Sequence, residues 1–299
     1  MRICIAGADC FIGIPLVKAF ANTGNDIVAV VKDGNVDNSL FDSCHNVEIV
    51  PLDFKKYEKL GDIVGSVDCL IILTWIGTRG EARQNKNLQR ENYEKISKAI
   101  KSVIANGCKK VLTAGSQAEY GLFHGVIKED TPCNPNTEYG KYKLKLFNDM
   151  SEYCTKRDVS YKEPRFFSLY GPSDYSGTLI MSSLQKMKLN QDCDFTESIQ
   201  MWDYLYVDDA VDAVVGIALT NCQDGVYNIG SGDRRQLKCY IEELKTIVGS
   251  KSKLNFGSIP YGESGIVSIE PDISKLKKEI GWRPNHTFKE GILAILNSK

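Results

Sequence analysis

The chain has 299 residues, 42% hydrophobic and 25% charged, as in ordinary globular proteins, and this length allows one large α/β domain or such a domain with a smaller lobe. The formal net charge is −1, so electrostatic attraction gives no reason to expect nucleic acid or an anionic membrane as the main partner. The N-terminus has no long apolar leader and no apolar run is long enough to span a bilayer, so we expect a cytoplasmic protein. The 10 cysteines and 3 histidines lack metal-ligand spacing, so we expect reduced thiols and no metal.

Apolar runs that alternate with amphipathic segments predict strands separated by helices. The strands are predicted at 2–6, 26–31, 47–50, 68–73, 110–113, 159–164 and 226–229. The helices are predicted at 12–22, near 55–60, and at 84–106, 136–156, 207–219, 237–247, 272–280 and 287–297. Gly107 ends the first long helix, and Asn136 or Thr137 caps the second.

Continuous apolar strands separated by helices are typical of a parallel sheet covered on both faces. The chain is therefore predicted to be a doubly wound α/β protein of the Rossmann class. We expect residues 1–170 to form the main domain. Past the break at Tyr170-Gly171-Pro172 the pattern loosens, which predicts a smaller lobe over 171–299, with segments at about 200–230 returning to the main domain.

The stretch Gly7-Ala8-Asp9-Cys10-Phe11-Ile12-Gly13 joins the first strand to the first helix. Dinucleotides bind at this turn in such folds, because backbone N–H groups and the helix N-terminus face the pyrophosphate. Gly7 permits the tight turn, and Gly13 lets the helix pack closely on the sheet. Cys10 stands where a middle glycine is expected, and we expect it to have an ordinary φ and to present its N–H like any other residue. An ordinary strand-to-helix turn is the alternative interpretation.

The adenosine ribose of such a cofactor is expected to lie beside the end of the second strand, Ala29-Val30-Val31-Lys32-Asp33. A basic residue there suits the 2′-phosphate of NADP, and an acidic residue suits the 2′-hydroxyl of NAD. We place the end of the strand at Val31 and Lys32 next, which favours NADP(H) over NAD(H). Asp33 keeps NAD(H) as the alternative.

Tyr139 and Lys143 lie four residues apart near the start of the second long helix, so they share one face. An ammonium beside a phenol favours tyrosinate and lowers the phenol pKa from about 10, which suits a general acid/base. Ser116 follows the fifth strand, at the carboxyl edge where ligands bind, and its hydroxyl can hydrogen-bond a substrate oxygen. A surface pair is the alternative for Tyr139 and Lys143.

With the glycine turn, Ser116 and the Tyr139/Lys143 pair in this order, the chain resembles the extended short-chain dehydrogenase/reductase superfamily, in its nucleotide-sugar epimerase/dehydratase/ketoreductase branch. The likeness covers nearly the whole chain. Further landmarks are Leu73-Thr74-Trp75, Asn92, Arg165 to Pro172 with Ser168 replacing an asparagine, Tyr204 to Asp209, Tyr227 to Gly232 and Gly281 to Pro284. The arginine that clamps the substrate diphosphate in this family is replaced by Trp202, which either stacks on substrate or belongs to the core of the lobe.

The resemblance implies that Tyr139 is the acid/base, that Lys143 lowers its pKa and holds the nicotinamide ribose, and that Ser116 orients the reacting oxygen. It implies a dinucleotide domain over 1–170, with Asp53 meeting the adenine, and a substrate lobe. The implied cofactor contacts are Gly7, Cys10, Phe11, Ile12, Gly13, Lys32, Asp53, Phe54, Thr74, Trp75, Asn92, Tyr139 and Lys143. Candidate substrate contacts are Gln117, Ser168 and Trp202. The family also implies a homodimer in which the two long helices pair across a two-fold axis.

The 4,6-dehydratases of this family carry a T-D-E run where this chain has Ser116-Gln117-Ala118, so dehydration is not expected. Lys32 favours NADPH, and NADPH favours net reduction. We therefore expect reduction of a nucleotide-linked 4-keto-(6-deoxy)hexose to the 4-hydroxy sugar. The alternatives are a nucleotide-hexose 4-epimerase with bound NAD and a non-catalytic dinucleotide sensor.

Overall fold

The computed structural model describes residues 1–34, 37–262 and 265–298. Its strands are β1 (Arg2–Ala6), β2 (Asp26–Lys32), β3 (Val47–Leu52), β4 (Cys69–Ile72), β5 (Lys110–Thr113), β6 (Gly115–Ser116), β7 (Val126–Ile127), β8 (Ser160–Phe166), β9 (Ser168–Tyr170), β10 (Cys193–Phe195), β11 (Met201–Trp202), β12 (Tyr204–Tyr206), β13 (Gly225–Ile229), β14 (Arg235–Gln236), β15 (Leu254–Phe256) and β16 (Glu270–Pro271). Its α-helices are α1 (Gly13–Asn22), α2 (Leu60–Val64), α3 (Lys86–Ala105), α4 (Glu138–Thr155), α5 (Leu179–Lys188), α6 (Val207–Leu219), α7 (Leu237–Val248), α8 (Ser274–Ile280) and α9 (Phe288–Asn297). Short 3₁₀ turns include Phe54–Lys59, Gly80–Gln84 and Gln117–Glu119.

One parallel sheet organises the chain, with strand order β13-β8-β5-β4-β1-β2-β3 and β6 also pairing with β8. The chain runs outward from β1 through β2 to β3, and then returns to β4 on the other side of β1. In such sheets ligands bind at the carboxyl ends of the strands where the order reverses, which here is between β1 and β4. The doubly wound fold predicted from the sequence is confirmed.

Different helices cover the two faces of the sheet, because side chains alternate along each strand. Ile3 and Ile5 of β1 lie in the core beneath α1 and α6. Cys4 and Ala6 of the same strand lie in the opposite core, beneath α3 and α4. All four residues are fully buried. The strands therefore read as continuous apolar runs, which is why the sequence pattern located them.

The smaller lobe packs α5, α7 and α9 around aromatic side chains. Tyr170, Tyr204, Tyr240 and Phe288 form its centre, with contacting ring centroids 4.9 to 6.1 Å apart. β12 pairs in parallel with β9, and β13 pairs with β8 at the edge of the main sheet. The chain therefore crosses between the lobe and the sheet more than once.

Most boundaries lie within two residues of the predictions, and α6 coincides with the predicted helix. Two predictions need correction. β2 ends at Lys32 instead of Val31, because Lys32 still pairs in register with Leu52 of β3. The helix predicted near 55–60 is the 3₁₀ turn Phe54–Lys59 continued by α2, and α5 was not predicted.

All ten cysteines lie within the described ranges and are free thiols, as predicted. Burial raises the pKa of the Cys69 thiol to about 12 and that of the Cys108 thiol to about 11, so these two are protonated core residues. Across residues 1–34, 37–262 and 265–298, no helix is both long and apolar enough to cross a membrane.

Candidate active site

The turn between β1 and α1 is packed tightly against the segment that follows β4. Gly7 has φ +90°, and a Cβ there would lie 2.8 Å from Thr74 Oγ1 and 2.9 Å from Thr74 N. A Cβ on Gly13 would lie 2.3 Å from the carbonyl oxygen of Gly7. Gly7 is therefore required for its backbone conformation and Gly13 for the contact between helix and turn.

Cys10 takes the middle position of this turn without a positive φ, as expected. Its N–H donates to the carbonyl oxygen of Gly7 at 3.3 Å, so it is used within the turn rather than presented outward as we had expected. The Cys10 sulfur accepts from the Gly13 N–H at 3.2 Å. Burial raises the pKa of the Cys10 thiol, although the nearby amides oppose this, and the side chain acts as a small neutral acceptor at the start of the helix.

The turn fits a pyrophosphate group. Helix α1 begins at Gly13, its first turn carries no acidic residue, and Ile12 at the N-cap makes no side-chain hydrogen bond that would close the helix N-terminus. Phe11 and Ile12 are half-buried and pack against the core of the lobe. A helix N-terminus with this environment attracts anions, so residues Gly7 to Gly13 would hold the pyrophosphate of a dinucleotide.

The end of β2 lies beside this turn, and the turn carries an acid, Asp9, to which the sequence analysis gave no role. Asp9 Oδ2 accepts from the Lys32 N–H at 3.0 Å and so fixes the turn to the strand. The Lys32 and Asp33 side chains are both exposed, and Asp33 accepts from the Gly34 N–H at 2.9 Å. The corner where the ribose of the adenosine would lie therefore holds one ammonium and two carboxylates.

Asp53 and Phe54 follow β3 on the same side of the sheet. The Asp53 carboxylate caps the 3₁₀ turn by accepting from the Lys55 N–H at 2.9 Å. The Phe54 ring lies 4.9 Å from the ring of Tyr57, whose hydroxyl lies 2.8 Å from Thr74 Oγ1. These contacts connect the proposed adenine side of the cleft with the edge of β4.

Thr74 and Trp75 follow β4 at the carboxyl edge. Trp75 Nε1 donates to Gln89 Oε1 at 2.6 Å. Asn92 is fully buried, and its amide bonds both the N–H and the C=O of Ile76, at 3.0 and 2.8 Å. Asn92 therefore holds the segment after β4 in place and has no exposed atom with which to touch a cofactor directly.

The structure brings Ser116, Tyr139 and Lys143 together at the carboxyl edge of β5 and β8. Ser116 lies in β6, which pairs with β8, and it caps the 3₁₀ turn that follows. Tyr139 and Lys143 lie in the first turns of α4. The Lys143 ammonium donates to the carbonyl oxygen of Ala114 at 2.6 Å and lies 5.9 Å from the centroid of the Tyr139 ring. It also lies 4.1 Å from the Trp75 ring, which forms one wall of the site.

Burial dominates the acid–base properties of this pair. It raises the pKa of Tyr139 to about 12, although the Ser116 hydroxyl opposes the shift. Burial also lowers the pKa of Lys143 to about 8, although nearby carboxylates oppose it. The sequence analysis expected a lowered pKa for the Tyr139 phenol, whereas the structure raises it. Tyr139 is a neutral phenol at neutral pH and can donate a proton.

A buried ion cluster lies beneath Ser116. Arg165 Nη2 lies 3.0 Å from Glu119 Oε2, and Arg165 Nε donates to Glu163 Oε1 at 2.9 Å. Glu119 Oε1 also accepts from the Ser116 N–H at 2.7 Å. Burial, together with the charge of Glu119, raises the pKa of Glu163 well above its usual range, so Glu163 keeps its proton. The cluster fixes Ser116 to β8.

Trp202 lines two cavities, and the wall of one of them contains Gln117, the residue that follows Ser116. The active-site cavity, about 450 Å³, is lined by residues that include Arg83, Gln84, Gln117, Thr137, Trp202 and Ser268. The lobe cavity, about 450 Å³, is lined by residues that include Ser182, Lys186, Asp194, Phe195, Trp202 and Tyr204.

The three candidate substrate residues have different positions relative to these cavities. Gln117 and Trp202 share the wall of the active-site cavity. Trp202 is half-buried with its ring 6.3 Å from that of Tyr204, so it contacts the core of the lobe and also faces both cavities. Ser168 pairs in register with Tyr204, and among the described residues it lines neither cavity.

Sequence reasoning missed Arg83, whose guanidinium carbon lies 5.1 Å from the centroid of the Tyr139 ring. The residue lies in the 3₁₀ turn after β4, outside every recognised landmark. The available signal was its position, because any segment that follows a parallel strand lies at the carboxyl edge where ligands bind. Glu119 was missed for a related reason, since only the fold brings it to Arg165.

The chain is similar to known proteins along most of its length. The profile described as "NAD dependent epimerase/dehydratase family" matches residues 3–230. The chain is 24% identical over 265 residues (87% of it, 95% of the relative) to dTDP-6-deoxy-L-talose 4-dehydrogenase (NAD(+)) of Aggregatibacter actinomycetemcomitans. It is 26% identical over 307 residues (98% of it, 97% of the relative) to CDP-abequose synthase of Salmonella typhimurium. Its fold is similar to that of UDP-glucuronic acid 4-epimerase from Bacillus cereus in complex with NAD, with TM-score 0.83 and 20% identity over 98% of this chain and 94% of that one.

The close contact at Gly7 predicts that Gly7→Ala abolishes dinucleotide binding and lowers the free energy of unfolding by about 3 kcal/mol, because the new Cβ meets backbone as well as being strained. Gly24→Ala is the matched control. Gly24 has φ +75° but open space around it, so only strain of about 1 kcal/mol is expected. Urea denaturation and nicotinamide fluorescence titration measure the two effects. Equal losses in the two variants would show that the contact with Thr74 is unimportant.

The lowered pKa of Lys143 predicts a pH-dependent stability. Between about 8 and 10.5 the folded chain holds fewer protons at this site than the unfolded chain, so its stability rises with pH across that window. We expect the free energy of unfolding of the wild type to gain about 2 to 3 kcal/mol over that of Lys143→Met from the bottom to the top of this window. Urea denaturation without dinucleotide measures it, with Lys141→Met, an exposed lysine, as the control. A constant difference across the window contradicts the assignment.

Proposed function

The chain belongs to the NAD dependent epimerase/dehydratase family, and on that premise we propose that it reduces the 4-keto group of a nucleotide-linked 4-keto-6-deoxyhexose to a hydroxyl with NADPH. One observation carries the proposal. Ser116, Tyr139 and Lys143 meet at the carboxyl edge of the sheet, the edge that also carries a glycine turn that fits a pyrophosphate, and Gln117, the residue after Ser116, lines the active-site cavity.

In this proposal Tyr139 is the general acid. With its pKa raised to about 12 by burial, the phenol enters the reaction protonated and donates its proton to the oxygen at C4. The Ser116 hydroxyl orients the same oxygen. Lys143, held by the Ala114 carbonyl, stabilises the tyrosinate that remains. The nicotinamide, when bound, supplies the hydride, and the chain contributes binding and orientation.

Dehydration is disfavoured by the position of the nearest acid. The run after β5 offers Gln117 and Ala118 to the cavity, and the next residue, Glu119, is fully buried. Glu119 is also committed to Arg165 and to the Ser116 N–H. The acid/base pair that a 4,6-dehydratase needs is therefore not at the substrate, which supports a reaction that needs Tyr139 alone.

The relatives support the substrate class. The name dTDP-6-deoxy-L-talose 4-dehydrogenase (NAD(+)) specifies oxidation at position 4 of a nucleotide-linked deoxy sugar. CDP-abequose synthase, similar over almost the full length of both chains, is named for another nucleotide-linked sugar. Chemistry at C4 is the part of the proposal that these names support, and NADPH rests on Lys32.

A homodimer through α3 and α4 is part of the proposal. The groove between these helices, about 430 Å³, is lined by Lys86, Arg90, Tyr93, Glu94, Glu138, Lys141, Tyr142 and Lys145. Charges of both signs line it, so a two-fold contact would pair lysine and arginine with glutamate and would bury the two tyrosines.

The assignment of Tyr139 predicts that Tyr139→Phe lowers the rate of 4-keto-sugar reduction by roughly 10²- to 10⁴-fold, with little change in dinucleotide affinity. Loss of nicotinamide absorbance measures the rate, with NADPH or NADH and CDP-, dTDP-, GDP- and UDP-linked 4-keto sugars. Tyr142→Phe, three residues further along α4 and facing Tyr93, is the control and should retain activity.

Three results of that assay contradict the proposal. No consumption of cofactor with any of the sugars excludes the reductase. Inversion of a 4-hydroxyl without cofactor turnover indicates the 4-epimerase instead. Dinucleotide binding with no chemistry, unaffected by Tyr139→Phe, indicates the sensor.

The choice of cofactor depends on Lys32, which contacts the 2′-phosphate in this proposal. We expect Lys32→Ala to weaken NADPH binding roughly tenfold and to leave NADH binding unchanged, because a charge-assisted hydrogen bond is lost. Fluorescence titration measures both, with the exposed Lys18 of α1 as the control (Lys18→Ala). A wild type that binds NADH more tightly than NADPH would refute the preference and would assign the corner to Asp9 and Asp33.

A further inference from the structure

We propose that Arg83 binds anionic oxygens of the substrate and thereby determines which nucleotide sugars the site accepts. The inference rests on the proposed function in one respect, the placement of the sugar beside Tyr139. Arg83 lies in the 3₁₀ turn Gly80–Gln84 between β4 and α3, at the carboxyl edge of the sheet. Its guanidinium carbon is 5.1 Å from the centroid of the Tyr139 ring, so the charge lies at the reaction centre.

The wall of the active-site cavity is positively charged because of Arg83. Among the described residues that line this cavity, Arg83 is the charged one, and the others are apolar or neutral polar side chains. Within the part of the chain that the structure describes, no carboxylate lies within ion-pair distance of Arg83. Arg79, four residues earlier, differs in being paired with Asp174 at 3.3 Å. An unpaired guanidinium in a partly enclosed cleft attracts an anionic ligand group.

Unused hydrogen-bonding atoms cluster on the same wall. Arg83 Nε, Gln117 Oε1 and Trp202 Nε1 are buried atoms with no hydrogen-bond partner among the described residues. All three residues line the active-site cavity. Buried polar atoms are nearly always satisfied in folded proteins, so a group of three around one cavity indicates a ligand site. Two donors and one acceptor match a sugar that carries hydroxyls and a neighbouring anionic group.

The two cavities also define how such a ligand extends. Trp202 lines both, so a ligand that extends from the active-site cavity into the lobe cavity passes Trp202. The lobe cavity has Lys186 and Asp194 on its wall, one charge of each sign. The unbalanced positive charge is therefore at Arg83, on the sugar side of Trp202. The oxygens that Arg83 binds belong either to the diphosphate next to the sugar or to a carboxylate on the sugar. A guanidinium can form two parallel hydrogen bonds with either group.

The test compares the wild type with Arg83→Gln, which removes the charge, and Arg83→Lys, which keeps it without the planar fork. Arg90→Gln is the matched control, since Arg90 is an exposed arginine of α3 paired with Glu94. Calorimetric titration with UDP, CDP, dTDP and GDP identifies the nucleoside diphosphate that the wild type binds most tightly. Each variant is then titrated with that nucleotide, with its glucose conjugate and with its glucuronic acid conjugate. Thermal unfolding confirms that each variant is folded.

We expect Arg83→Gln to weaken binding roughly 10- to 100-fold, Arg83→Lys to recover part of the loss, and Arg90→Gln to stay within about twofold of the wild type. An equal loss for all three ligands assigns Arg83 to the diphosphate. A loss confined to the glucuronic acid conjugate assigns it to a sugar carboxylate, and a uronic acid would then replace the 6-deoxyhexose of the proposed function, since a 6-deoxy sugar has no carboxylate at C6.

Two results would overturn the inference. In the first, a folded Arg83→Gln variant binds every ligand like the wild type. In the second, Arg83→Gln changes only the pH dependence of turnover, which would mean that the guanidinium tunes Tyr139 and does not hold the substrate. A wild type that binds none of the four nucleotides would instead refute the proposed function, so the two failures are distinguishable.

Discussion

The buried contact of Arg165 with Glu119 and Glu163 is the constraint on which the geometry of the catalytic edge depends. None of the three residues is more than 1% exposed, and such groups remain buried only because each is paired with another. Through Glu119 the cluster also holds the Ser116 N–H, so the turn after β5 is fixed to β8. Helix α4 then packs on the backbone of that turn at Gly140, where a Cβ would lie 2.3 Å from a carbonyl oxygen. The depth at which Tyr139 and Lys143 lie therefore follows from this cluster.

The main sheet was predictable from the sequence, whereas the lobe was only partly so, and the difference is physical. Strands that are buried on both faces consist of continuous apolar runs, and these are visible in the local sequence. The lobe depends on contacts between aromatic residues far apart in the chain, such as Tyr170 and Phe288, which no local pattern encodes. Helix α5 was missed although Thr178 caps it by accepting from the Met181 N–H at 3.4 Å. The interruption of the pattern at Pro172, before this helix, and the two serines within the helix made its apolar face hard to recognise in the sequence.

The sequence located the candidate site through motifs but did not give its electrostatics. Ser116 and Tyr139 were found because their order and spacing are local properties of the chain. The direction of the pKa shift of Tyr139 depends on burial, which is a property of the folded state, and burial outweighs the Ser116 hydroxyl and the charge of Arg83, which both lower this pKa. Arg83 and Asp9 have no motif at all. Their roles depend on which segments meet at the edge of the sheet, and only the strand order specifies that.

A neutral Tyr139 bears on the direction of the reaction. Reduction begins with a phenol that gives up its proton, and a pKa of about 12 provides that state directly. Oxidation, which also begins an epimerisation, requires tyrosinate first, and burial opposes the formation of that anion. The charge of Arg83 is one of the influences that lower the pKa of Tyr139 against burial. A substrate anion bound to Arg83, as we propose, neutralises that influence and strengthens the acid form. Substrate binding and proton donation would then be coupled through one guanidinium.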